Sequence, residues 1–142
     1  MKINLKKAVL AGVVGTIAMT IAATFAAPMM GLPKMDVPGM LASVMGGILP
    51  IGWMAHFMIG TLLAIGYAVL QEKIPGPTIV RGAIYSLAPW LMAQVVVMPM
   101  MGMGLFSGAF ALAFGSLIGH LIYGSVVAAV YSKTSLCQTC AG

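Results

Sequence analysis

A chain of 142 residues that is 61% hydrophobic and only 6% charged, with a mean hydropathy of +1.09, is too apolar for a soluble globular domain. Its net charge of +5 sits at the ends of apolar runs rather than on one face. That favours anionic lipid head groups and is no nucleic-acid footprint.

A membrane-crossing helix takes roughly 20 apolar residues. The first such run covers residues 8–27 and follows Lys2, Lys6 and Lys7. Its basic head and the small residues of "ATFAAP" imitate a secretory signal. The apolar body exceeds a typical signal core of about 7–15 residues, so a retained helix is expected. Next comes "GLPKMDVPGMLASVMGGILP", rich in glycine and proline. Within it "PGMLASVMGG" predicts a short interfacial helix starting after Pro38 and ending at Gly46 or Gly47. Trp53 is placed to anchor at the interface. The second run covers 48–70, and "QEKIPGPTIVR" makes a tight turn into the third, 82–100, which Pro89 is expected to kink. The fourth covers 105–131 and leaves a tail, 132–142, with Cys137 and Cys140.

Basic residues set the orientation. Lys2, Lys6, Lys7, Lys73, Arg81 and Lys133 fall on one side, and only Lys34 on the other. The positive-inside rule makes the richer side cytoplasmic, with both termini inside.

A repeat is visible beneath this pattern. Pro28-Met29-Met30-Gly31 matches Pro99-Met100-Met101-Gly102. Runs two and four then align without a gap: Gly52 with Ser116, His56 with His120, Gly60 with Gly124, Thr61 with Ser125, Tyr67 with Tyr131. Each half starts and ends inside, so the repeat is parallel, about an axis along the membrane normal. The expected fold is an all-α polytopic membrane four-helix bundle built from two parallel two-helix repeats.

Equivalent positions in such a repeat lie at equal depth. His56 and His120, the only histidines, each precede the matching tyrosine by eleven residues, about 16 Å along a helix. Two imidazoles facing one another at one depth suit axial ligation of one b-type haem iron. Gly52, Gly60, Ser116 and Gly124, four residues from the histidines, give clearance on this reading. They permit close helix packing on the plainer one. A buried imidazole needs a hydrogen-bond partner, for which Thr61, Ser116, Ser125, Gln94, Tyr85 and the backbone are the candidates. On the haem reading each Nε2 takes the iron and each Nδ1 needs a backbone carbonyl or a hydroxyl, with Thr61 and Ser125, five residues away, slightly out of line. Otherwise the histidines bond across helices or hold another metal. Covalent haem attachment needs CxxCH, which "CQTCAG" lacks.

The methionines concentrate toward the external side. Met29, Met30, Met100 and Met101 offer thioethers for Cu(I), or fill space beside proline and glycine turns. Cys137 and Cys140 form a lone CxxC, a possible redox or metal pair but most simply free thiols in a reducing cytoplasm. The chain has no catalytic triad, paired carboxylates or phosphate loop, so catalysis by this chain alone is not expected.

The overall pattern resembles small four-helix bacterial inner-membrane proteins of uncharacterised function. The resemblance implies a location, the bacterial cytoplasmic membrane, and no chemistry. The leading expectation is an accessory subunit of a larger respiratory or photosynthetic electron-transfer complex, surrounded by membrane lipids and holding haem b between His56 and His120. The alternatives are a cofactor-free structural subunit and an external-face Cu(I)-binding protein.

Overall fold

A computed structural model describes residues 3–139 and the side chains of residues 3–132; the described chain is helical, without strands. Four helices are long and apolar enough to cross a membrane, the pattern of a multi-pass membrane protein. They are α1 (Leu5–Met29), α3 (Leu49–Lys73), α4 (Thr78–Met100) and α5 (Phe110–Thr139), whose apolar span is Phe110–Ser132. Between α1 and α3 lies the short helix α2 (Val37–Val44).

Local chemistry explains the boundaries. Asn4 caps α1 by accepting from the Lys7 N–H at 3.1 Å, and Asp36 caps α2 by accepting from the Gly39 N–H at 3.0 Å. The fourth span starts later than residue 105. Leu105–Gly108 forms a 3₁₀ turn in which Phe106, Ser107 and Gly108 have φ of 51°, 61° and 66°, a path no α-helix follows. The expected tail boundary at 132 is not a helix end, because α5 runs on to Thr139. The Cys137 side chain and all of Cys140 lie outside the described residues.

Both α1 and α4 widen into a π turn before they end, at Ala22–Ala26 and Ala93–Val97. In each case a proline, Pro28 or Pro99, follows two residues later. Proline brings no amide and its ring crowds the carbonyl four residues back, which the wider turn relieves. The helices then stop at Gly31 and Gly102, with φ of 75° and 78°. Leu32 N–H closes on Ala27 O at 2.9 Å, and Met103 N–H on Met98 O at 3.0 Å. PMMG is thus a helix stop whose glycine takes the left-handed position.

Across the bundle, α1 packs on α3 and on α5, and α4 packs on α5. The fourth side of the square, α3 against α4, barely touches; α1 and α4 stand on one diagonal, α3 and α5 on the other. Small residues set the close seams. A Cβ on Gly12 would come 2.7 Å from Thr61 Cα on α3, and one on Gly15 the same distance from Val127 Cγ2 on α5. A Cβ on Gly82 or Gly124 would strike the other's carbonyl. One end of the bundle is filled by Ala8, Ala11, Ala64, Tyr67, Tyr123, Val127, Ala128 and Tyr131. At the opposite end, where PMMG lies, α2 covers α3.

Candidate functional site

Between the tyrosine-filled end and α2 the bundle is hollow. A cavity of about 150 Å³ is bounded by all four long helices and by α2. His56 and His120 both line it, so the pair singled out by the repeat does meet at one site. The wall is otherwise mostly apolar. Met19, Met35, Met40, Met92, Met98 and Met101 supply much of it, with Ile59, Leu63, Val37, Val97 and Pro89.

Tracing the hydrogen atoms fixes the two rings. His120 Nδ1 lies 2.8 Å from the Ser116 carbonyl on its own helix. A carbonyl only accepts, so Nδ1 carries the proton of the neutral ring and Nε2 carries the lone pair. His56 takes the opposite form. Its Nε2 lies 3.0 Å from Thr20 Oγ1 on α1, and that hydroxyl donates to Thr16 O at 2.7 Å. With the hydroxyl hydrogen on Thr16 O, His56 Nε2–H donates to Thr20.

Other polar groups on the wall are satisfied internally. Thr16 donates to Gly12 O at 2.8 Å, and Tyr123 donates to Gly60 O. Gln94, fully buried in the α4 π turn, donates to Ser116 Oγ at 3.1 Å and accepts from Ser107 at 2.8 Å. It ties the left-handed turn before α5 to α5 itself. Tyr85 donates to Leu63 O at 2.8 Å and holds α3 near α4 on the tyrosine side of the cavity.

The lining residues also show where the cavity opens. Ile59 of α3 and Met92 of α4 line it and are yet 42% and 54% exposed. They flank the seam that fails to close, each in the middle third of its helix. Both residues therefore run from the cavity to the outer surface of the bundle, at hydrocarbon depth for a bundle that crosses a bilayer.

Of the other residues picked out by sequence, Gly60 and Ser116 reach the cavity and Gly52 and Gly124 do not. Gly52 seats α2, since a Cβ there would crowd Ala42, and Gly124 seats α4. Gly60 leaves room for Thr16. The glycines serve helix approach. Met29, Met30 and Met100 are exposed, at 88%, 56% and 82%, and Met101 alone of that set touches the cavity. The two PMMG turns close α1 and α4, which stand on opposite corners of the bundle. Among the described residues no group of three or more His, Cys, Asp or Glu side chains could hold a metal. The sequence reading missed Thr16, Thr20 and Tyr123. Hydroxyls four apart on one face of the first span, beside a membrane histidine, were the available signal.

A family of unknown function, DUF6789, matches residues 3–140, almost this entire architecture. The chain belongs to DUF6789. No curated protein and no solved structure matches it. For this DUF6789 protein the site geometry therefore carries the functional reading. A bis-histidine haem needs both Nε2 atoms on one iron. This DUF6789 site offers that of His120, but Thr20 holds that of His56. A volume of about 150 Å³ is also on the scale of one benzene ring, against the four linked rings of a porphyrin. As they stand, these residues do not fit a haem.

Proposed function

We propose that this protein binds a lipid-soluble small molecule in its central cavity and exchanges it with the bilayer between α3 and α4. The observation that carries this reading is that Ile59 and Met92 run from the cavity to the outer surface of the bundle; the mouth then lies between them and faces sideways. A ligand arriving there has to dissolve in hydrocarbon. An apolar wall with few polar groups is the usual construction of a small-molecule site.

The setting follows from the charges and the repeat. The basic residues support an orientation with the tyrosine end and both termini in the cytoplasm and the PMMG end outside, and the resemblance noted from the sequence supports a bacterial inner membrane. Duplication is supported by the matching π turns, proline positions and left-handed glycines of α1 and α4. The halves have since diverged at the cavity. Tyr123 corresponds to Ile59, Tyr85 to Val14, and Thr20 to Leu91. Within residues 1–142 little mass lies outside the spans, which supports a place as an accessory component of a larger membrane assembly.

Ile59→Trp, which places an indole in the mouth, tests the reading. Purification in native-membrane nanodiscs, followed by mass spectrometry of the extracted small molecules, is expected to recover a lipophile from the wild type. Recovery from the variant should fall at least about tenfold, the effect of losing on the order of 1.4 kcal/mol of binding. Equal recovery of a lipophile from both would overturn the reading, and recovery of none from the wild type would do so in favour of a structural subunit without a ligand.

One observation keeps haem as a second reading: His120 presents Nε2 with Nδ1 already held by Ser116, the arrangement of a metal-ligating histidine. On that reading Thr20 releases His56 and α3 parts from α4. A Soret band in the wild type, lost in His120→Ala, would establish it. Copper retention lost on removal of Met98 and Met101 would point instead to the thioethers.

A further inference from the structure

The hydrogen-bond inventory of the cavity restricts what kind of head group it takes. His120 lines the cavity, its Nδ1–H is spent on Ser116 O, and no group among the described residues bonds its Nε2. No fully buried polar side-chain atom among the described residues lacks a partner, so Nε2 is open to the cavity rather than sealed in the wall. Its lone pair makes it an acceptor only. The His56 proton is likewise committed to Thr20, and the hydroxyl protons of Thr16 and Tyr123 to Gly12 O and Gly60 O. Of the lining hydroxyls only that of Ser116, which accepts from Gln94, keeps its proton, so a lipophile whose head is only an acceptor, such as a quinone carbonyl, an ether or an ester, has that one donor beside it and none at His120.

We infer that the ligand carries a hydroxyl on a ring-sized apolar head, as a phenol or hydroquinone does, and donates it to His120 Nε2. The inference rests on the cavity reading above. The volume of about 150 Å³ admits one six-membered ring. The remaining chain of such a ligand leaves through the mouth at Ile59 and Met92 and stays in the bilayer. Thioethers suit such a ring, because sulfur packs favourably against aromatic edges, and Met19 and Met98 stand on the wall.

A matched pair of probes separates the two claims: a lipid-soluble para-alkylphenol and its methyl ether, which differ in the donated hydrogen. Binding is measured to the full chain in nanodiscs, with empty nanodiscs subtracted. The wild type is expected to bind the phenol about tenfold more tightly, the scale of one buried hydrogen bond. His120→Leu should bring the phenol down to the level of the ether and leave the ether unchanged. Equal binding of both probes to the wild type, blocked by Ile59→Trp, would overturn the head-group inference while the cavity reading stands. Binding of neither probe, or binding indifferent to Ile59→Trp, would remove the cavity reading as well. Should His120→Leu fail to fold, the comparison of the two probes on the wild type decides alone.

Discussion

The two histidines show how far one residue's chemistry depends on its neighbours. They align in the sequence, yet each is bonded through a different ring nitrogen. Thr20 reaches His56 across the α1–α3 seam, while the corresponding position on α4 is Leu91, and His120 turns to its own helix. Thr20→Val removes the partner of a buried N–H. A loss of about 1–2 kcal/mol is expected, seen as a lower midpoint of thermal unfolding in detergent, whereas Thr20→Ser should stay near wild type. The histidines were legible in the sequence because polar residues in apolar spans are conspicuous. Thr16 and Thr20 were not, because a helical threonine commonly bonds the carbonyl four residues back, and nothing local says which also serves a neighbour. Gln94 was legible as a polar residue but was placed near the histidines. Its real partners, Ser107 and Ser116, depend on a left-handed turn that local pattern did not announce.

At the scale of elements, PMMG marks the ends of two helices. Methionine enrichment drew attention to its sulfur, but proline and glycine carry its structural meaning. Gly31→Ala and Gly102→Ala each force a side chain into φ near 75° and 78°, where a Cβ costs about 1–2 kcal/mol. The double variant is expected to lose about twice as much as either single one, since the two turns lie on opposite corners, and denaturation of the three variants checks this. The four spans were legible from hydropathy to within a few residues at most ends. The fourth start was not, because Leu105 and Phe106 are as apolar as the helix they precede. Only the backbone at Phe106 and Ser107 separates them from it.

For the whole molecule the deciding feature is an unequal square. The α1–α5 side is closed and the corresponding α3–α4 side is open. On the open side Tyr85 reaches Leu63 O and stacks edge-on against Tyr67 at 5.5 Å. Tyr85→Phe keeps the ring contact and deletes the bond. A stability loss of about 1 kcal/mol is expected together with faster release of bound lipophile, followed by exchange into empty nanodiscs.

The sequence by itself determined the membrane class and the number of spans, and it singled out His56 and His120, because burial in hydrocarbon leaves its record in composition and a polar residue in an apolar run stands out. Which seam stays open, which nitrogen of each ring is free and which glycines admit a neighbouring helix were decided only in the tertiary structure. Those properties belong to contacts between helices, and in a chain whose every face is apolar no periodicity tells a lipid-facing residue from one lining a cavity.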